Sequence, residues 1–402
     1  MGPADLLVIG AGPAGSAIAI RAARAGLRVV VVDRARFPRD KVCAEYMSPE
    51  ALRHLDRLGV LHSLDRAGGV DIVGTSVIGP KGSRLTGLFA RAPHEPFRPT
   101  GLSLPRLVLD HHLVEAARVA GAVIIEERTV TDLLYQGGAV AGAVVRDGSG
   151  RLESIRARLT VGADGLRSTV ARRLGVEHAG APARLAFVAH LRGVTGPADR
   201  AEMHVGRSGY VGLNPVGEDL TNVALVVPRH LSGPARGNPA AFFERELAKY
   251  PAVRDRIRGA RTVRDVLVTG PFAVRARHAI ADGAMLVGDA ADFFDPFTGE
   301  GICSALAGAE LAAAVAVPAL SGSGPVSRRM LRAYETARNA RFRGKWMIER
   351  LIGWGMFAPR LFDRAVARLE ARGWSHTFIG VTGDFVPAGA VLNPRVLTGM
   401  LW

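Results

Sequence analysis

LLVIGAGPAGSAIAIRAARAGLRVVVVD, residues Leu6 to Asp33, decides the fold. The apolar run Leu6 to Ile9 ends on Gly10-Ala11-Gly12-Pro13-Ala14-Gly15, and small apolar residues continue to Ala25. After Gly26 comes a second apolar run, Val29 to Val32, closed by Asp33. Short, uniformly apolar runs suit parallel strands covered on both faces, joined by a closely packed helix. Gly10, Gly12 and Gly15 carry the G-x-G-x-x-G spacing. The first glycine permits the tight turn, the second lets a pyrophosphate approach the backbone, and the third lets helix and strand pack closely. Asp33, 18 residues past Gly15, is placed to accept from a ribose hydroxyl.

Two later segments repeat the strand-then-turn pattern around an acid. Val161-Gly162-Ala163-Asp164-Gly165 leads into a short helix. Leu286-Val287-Gly288-Asp289 is followed by Pro296-Phe297-Thr298-Gly299-Glu300-Gly301-Ile302. An acid at the tip of a buried strand accepts hydrogen bonds from a ribityl chain, and a helix starting at Gly301 aims its positive end at the N1–C2=O edge of a flavin. No second glycine fingerprint has the required spacing, so one dinucleotide site is expected. With only Cys43 and Cys303, a redox disulfide pair, a disulfide framework and a zinc site are all disfavoured.

The remainder of the 402 residues fits around these turns. Ser48-Pro49-Glu50 reads as a capped helix start, and Pro105 opens a helix expected to bury Leu107, Leu109, Leu113 and Ala117. A meander is expected between Val123 and Val161, with a strand-rich middle from Arg184 to Val227 and a helix from Gly301 to Val317. The fold class read from this is α/β: a discontinuous Rossmann-like nucleotide domain (residues 1–70, 100–178 and 270–325), a strand-rich substrate domain (71–99 and 179–269) and a helical C-terminal region (326–402). The net charge of +15 invites a nucleic-acid reading, but only four of the 52 basic residues are lysine and no binding module is visible. A cytoplasmic enzyme without bound metal is expected, since no signal peptide is visible and the Leu311–Leu320 run is too short to span a bilayer.

VIGAGPAG, PRDKVCAEYMSPEAL, GADGLRSTV, GDAADFFDPFTGEGI and the closing GVTGDFVPAGAVLNPRVL together resemble the flavoprotein group containing para-hydroxybenzoate hydroxylase. Within it the chain looks like the branch of geranylgeranyl reductases and related actinobacterial monooxygenases. The resemblance implies FAD as cofactor, NADPH or NADH as transient electron donor, and a strand-rich domain laid over the flavin. It assigns Gly10, Gly12, Gly15, Asp33, Arg34, Arg39, Lys41, Arg106, Asp164, Gly288, Asp289, Pro296, Gly299, Gly301 and Ile302 to the cofactor. Pro296, Gly299 and Glu300 would line the flavin face. Cys43, Tyr46 and Tyr210 are candidates to meet substrate or donate a proton, and Asn214 and His190 are further cavity candidates. The Trp-x-Trp-x-Ile-Pro segment of halogenases is absent, and the nearest stretch reads Gly209-Tyr210-Val211-Gly212-Leu213-Asn214-Pro215.

The expected activity is that of a monooxygenase acting on a lipophilic polyketide- or terpenoid-type molecule with O₂, the alternative being a reductase of isoprenoid C=C bonds. Three phenylalanines, Phe293, Phe294 and Phe297, would exclude water beside the flavin. Arg328 to Arg372 holds 12 Lys/Arg against four acids, contributing +8, together with many Trp, Phe, Leu and Met residues. This tail is expected to be a packed helical layer with solvated arginines, leaving at most weak peripheral membrane contact.

Overall fold

The computed structural model describes residues 2–181 and 183–401. Its first sheet runs, in spatial order, Ile280–Ala281, Ala284–Leu286, Leu152–Gly162, Ala4–Ile9, Val29–Val32 and Val123–Ile125. The last five are parallel, with Ala4–Ile9, Val29–Val32 and Ala284–Leu286 the buried centre; Ile280–Ala281 turns back antiparallel. The register places Ile9 beside both Val32 and Gly162, and Gly162 beside Leu286. Four strands therefore end together, and the residues that follow each end, around Gly10, Asp33, Asp164 and Asp289, emerge along one sheet edge. Ligands of open parallel sheets bind at this carboxyl edge.

Leu152–Gly162 changes partners along its length. Its first half pairs antiparallel with Ala139–Arg146, which continues to Thr129–Gln136, and its second half pairs with Ala4–Ile9. The helix Pro13–Arg24 packs below the glycine turn. A Cβ on Gly15 would come 1.8 Å from the Gly10 carbonyl oxygen, so only glycine fits that crossing. The helix Arg106–Val119 buries Leu109, Leu113, Val114 and Ala117, but Leu107 is exposed. Residues two apart on a helix lie about 200° apart, so Leu107 and Leu109 cannot share a face.

A second sheet of seven strands runs Arg261–Thr269, Arg184–Arg192, Leu220–Pro228, Gly209–Gly217, Arg200–Gly206, Gly74–Ile78 and Arg84–Leu88. Gly74–Ile78 joins it parallel to Arg200–Gly206, so an early segment completes a sheet made chiefly of later ones. The helix from Gly301 continues past the expected end to Ser321, through Pro318. At 21 residues it is, among the described residues, the one helix long and apolar enough to cross a membrane; most of it lies in the core. The tail forms helices Arg328–Gly355, Pro359–Ala371, Ser375–Thr382 and Pro394–Leu401.

Candidate active site

The carboxyl edge of the first sheet and one face of the second enclose a cavity of about 1470 Å³, counting its mouth. Two helices point their N-termini into it, Pro13–Arg24 from Gly12 and Gly301–Ser321 from Glu300. Neither has a side-chain cap, so their first N–H groups and positive dipole ends are free for an anionic or acceptor-rich ligand.

The glycine turn is shaped for an occupant. A Cβ on Gly10 would strike the Ala163 carbonyl oxygen at 2.5 Å, a constraint internal to the protein. A Cβ on Gly12 would meet only the guanidinium tips of Arg39 and Arg106, at 3.7 and 3.9 Å. The protein itself does not require glycine at position 12; a group lying against that backbone does. Lys41 and Arg106 line the same region, and Arg106 forms a buried bidentate pair with Asp110 at 2.8 and 2.7 Å, with Arg39 3.1 Å from the same carboxylate. Three cations against one carboxylate leave an excess of positive charge suited to a diphosphate. Burial lowers the Lys41 pKa, with neighbouring Arg106 adding to the effect, and a bound anion would pull it back up.

The acids at the strand ends differ. Asp289 faces the cavity with no hydrogen-bond partner among the described residues, and burial raises its pKa against the pull of Lys41 and Arg106. An unpartnered carboxylate in this place fits a polyol chain. Asp164 turns one oxygen onto the Thr169 and Val170 N–H groups (2.7 and 3.3 Å), while its buried Oδ1 lacks a partner. Asp33 accepts from the Ala11 and Ala35 N–H groups at 2.7 and 2.8 Å, so its first task is to brace the glycine turn. Gly288, with φ +63°, packs against Ala14 and is not in the cavity wall; Arg34 is exposed outside it. Together, the Gly12 cradle, the cationic flank, Asp289 and the two helix starts fit FAD.

Above the flavin position the second sheet offers a floor of small and apolar side chains, including Ala186, Ala201, Gly212, Ala224 and Val226. Gly212 lies in the cavity wall, and a Cβ there would press only on the flexible Met203 side chain, at 3.3 Å from its Sδ. Phe293 and Phe297 line the cavity as expected of them, but Phe294 turns away against Gly353. Pro296, Gly299, Gly301 and Ile302 form its rim. Gly299 has φ +73°, and a Cβ there would press the Tyr46 ring at 3.0 Å.

The proton-bearing candidates separate in kind. Cys43 Sγ accepts the Glu45 N–H at 3.3 Å and faces the Arg106 guanidinium at the cavity wall. Tyr46 lies buried beside it, its hydroxyl without a hydrogen-bond partner among the described residues and its pKa pushed up by burial and by Glu300. Tyr210 lines the cavity by its ring, but its hydroxyl already donates to Asp295 at 2.7 Å, and Asp295 pairs with Arg184 at 2.6 Å. Glu300 lies just behind the main cavity, in a smaller apolar one shared with Tyr46 and Phe297. It accepts from Ser48 at 2.8 Å, its Oε1 has no partner, and burial pushes its pKa up to about 8, so it is protonated at neutral pH.

Sequence reasoning missed the frame that holds Cys43. Glu45, fully buried with φ +60°, accepts from His190 Nε2 at 2.6 Å, Asn222 Nδ2 at 2.9 Å and the Arg106 N–H at 3.0 Å, with Arg264 at 3.6 Å. Asn222 also donates to the Cys43 carbonyl, and Asn214 to the Ala44 carbonyl, at 2.9 and 2.8 Å. His190 and Asn214 thus secure the loop instead of presenting polar groups to substrate. Asp295 and Arg184 were missed too, although Asp295 directly precedes Pro296 and accepts the Phe297 N–H, a visible capping pattern.

The profile of the FAD binding domain family matches residues 3–346. A digeranylgeranylglycerophospholipid reductase of Methanothrix thermoacetophila is 33% identical over 340 residues, 82% of each chain. The digeranylgeranylglycerophospholipid reductase 1 of Methanococcoides burtonii is 31% identical over 344 residues, 82% of this chain and 78% of its own. A menaquinone reductase of Mycolicibacterium smegmatis is 40% identical over 176 residues, 43% of this chain and 40% of its own. Among solved structures, a geranylgeranyl bacteriochlorophyll reductase-like protein from Thermoplasma acidophilum superposes with TM-score 0.77 at 23% identity, covering 98% of both chains. A flavin-dependent brominase superposes with TM-score 0.82 at 23% identity, covering 95% of this chain and 93% of its own.

Proposed function

Because the chain belongs to the FAD binding domain family, as a geranylgeranyl reductase-like FAD-dependent oxidoreductase, we propose that it reduces isoprenoid C=C bonds. The observation that carries this reading is the cavity floor. Small residues from four neighbouring strands, Ala186, Ala224, Gly212 and Ala201, walled by Phe272, Phe293 and Phe297, offer shape and apolar surface, while the polar lining residues Glu202 and Asn214 already bond other protein groups. The names of the relatives that cover most of both chains favour reduction over the monooxygenase chemistry first expected from the sequence.

Bound FAD, reduced by NADPH or NADH, supplies two electrons and one proton to a double bond held over it. The chain must supply the second proton and the geometry. Cys43 presents its Sγ in the cavity wall and Tyr46 an unpartnered hydroxyl, and these are the two candidates to deliver it. Lys41 and Arg106 would hold the diphosphate, and Asp289 the ribityl chain. Phe293 and Phe297 keep water from the reacting carbons.

The deciding experiment incubates the reduced protein with polyprenyl substrates under argon and under ¹⁸O₂. A product heavier by two hydrogens, formed at least as well under argon, supports the reductase. A product carrying one labelled oxygen, formed only with O₂, overturns it in favour of the monooxygenase.

A further inference from the structure

The helix Arg328–Gly355 carries two apolar stripes. Ile348, Ile352 and Met356 are buried against the protein. Met347, Leu351 and Trp354 point the other way and are joined by Phe357 and Leu361 at the start of the helix Pro359–Ala371; these five side chains are between 43 and 58% exposed. Single exposed apolar residues are ordinary, but five in one short ridge need an explanation. Trp354 and Phe357 lie against each other, ring centroids 6.1 Å apart, so the ridge has an aromatic tip. Arg343, Arg350 and Arg360 flank it, exposed and without an ion-pair partner among the described residues.

We propose that this ridge is a docking surface for an anionic lipid bilayer, with the apolar side chains at headgroup depth and the arginines on the lipid phosphates. Charge decides between a bilayer and a second copy of the chain. A two-fold contact across the ridge would bring like-charged arginines opposite one another, whereas an anionic surface neutralises them. On this proposal, the packed layer expected from the sequence corresponds to the inner stripe, and the outer one is left for the bilayer.

The ridge also stands over the cavity. Phe362, next to Leu361, contacts Phe297 at 6.3 Å between centroids, and Phe297 contacts Tyr210 at 5.1 Å; both lie in the cavity wall. Arg184, paired with Asp295 behind that wall, donates to the Gly353 carbonyl and lies over the Phe357 ring at 5.4 Å. Docking there sets the cavity's Phe297 wall against the bilayer, a placement that serves a lipophilic substrate and in that respect rests on the reading above.

The test is sedimentation with vesicles of phosphatidylcholine alone and of phosphatidylcholine–phosphatidylglycerol, at low and high salt. The intact protein is expected to bind the mixed vesicles and to be released as salt rises, because exposed charges are screened beyond about 10 Å at 0.1 M. Trp354→Ser with Phe357→Ser and Leu361→Ser should weaken binding by about tenfold or more. Replacing Arg343, Arg350 and Arg360 with Gln should cost roughly fivefold each. No vesicle binding, or equal binding by the triple serine variant, overturns the proposal. So does a dimer that the serine substitutions dissolve while vesicles bind neither form. Flavin content and turnover of detergent-dispersed substrate, measured on the same variants, report on folding and on the reductase reading separately.

Discussion

Glu45 Oε2 and His190 Nε2 meet at 2.6 Å in the interior, tying the loop that carries Cys43 to a central strand of the second sheet. Bonds from His190 and Asn222 hold the Glu45 carboxyl below its usual pKa even though burial pushes the other way. A group with a depressed folded pKa contributes stability above its unfolded pKa, and that contribution is lost as pH falls toward the folded value. Unfolding of the intact protein should accordingly steepen on the acid side of pH 4.5, and Glu45→Gln should flatten that limb.

Breaking this frame should also separate binding from chemistry. Leaving a buried hydrogen-bonding group without its partner costs about 1–3 kcal/mol. Glu45→Ala should therefore lower the melting temperature, whereas His190→Gln, which keeps a donor, should lose less. In both, flavin should still bind, because Gly12, Lys41 and Asp289 are untouched, while kcat falls through misplacement of Cys43. A Glu45→Ala, His190→Gln double variant should lose less than the sum of the two, since the residues are in contact. Equal kcat in all variants would show that the frame does not position the loop.

The glycines at 10 and 12 should fail in different ways. Gly10→Ala adds a Cβ that collides with the Ala163 carbonyl from a backbone at φ +99°, so the protein should be destabilised with or without cofactor. Gly12→Val meets at its Cβ only the flexible guanidinium tips of Arg39 and Arg106, so it should leave the unfolding of the flavin-free protein near the parent value, yet abolish yellow colour on reconstitution. Asp289→Ala should weaken flavin binding without abolishing it. Unchanged flavin affinity in Gly12→Val would mean the dinucleotide lies elsewhere.

Glu300 sets an alkaline limit. Its folded pKa of about 8 stands above the ordinary glutamate value of 4.5, so the stability tied to its protonated form is complete below 4.5 and lost as pH rises through 8. Glu349, pushed up to about 7 by burial, acts in the same direction. Glu300→Gln should remove its share of the alkaline fall in melting temperature. An identical fall in parent and variant would mean that Glu300 ionises normally.

Substrate length should depend on Gly212. A large side chain there projects into the cavity past the flexible Met203, so Gly212→Phe should raise KM for long polyprenyl chains far more than for short ones. Flavin content should be unchanged. A uniform rise across chain lengths would show that substrate does not lie over this strand.

Much of the cofactor side was legible because it depends on local pattern. A short apolar strand, a glycine turn and an acid are consecutive in sequence, so Gly10, Gly12 and Asp289 could be read without knowing what lay opposite. Glu45 could not, since its partners lie 145 and 177 residues away and nothing local distinguishes it from a solvated loop acid. The tail was legible as helical, but not which of its faces is covered. Met347 and Ile348 are one residue apart on a helix, about 100° of rotation, and both begin apolar stripes. Periodicity shows that two stripes exist; only the packed structure shows which one is covered.

The shared strand Leu152–Gly162 has one more consequence, for how this chain tolerates change. Its outer half is fixed by the antiparallel meander and its inner half by Ala4–Ile9, so its eleven residues act as a ruler between the two. Losing one residue would draw Asp164 back by about 3.3 Å and reverse which side chains face the core. Replacing an apolar residue by another of similar volume would do neither. Its length is therefore the constrained quantity, while insertions are absorbed at hairpin tips such as Gly137-Gly138 and Gly148-Ser149-Gly150, where added atoms meet nothing.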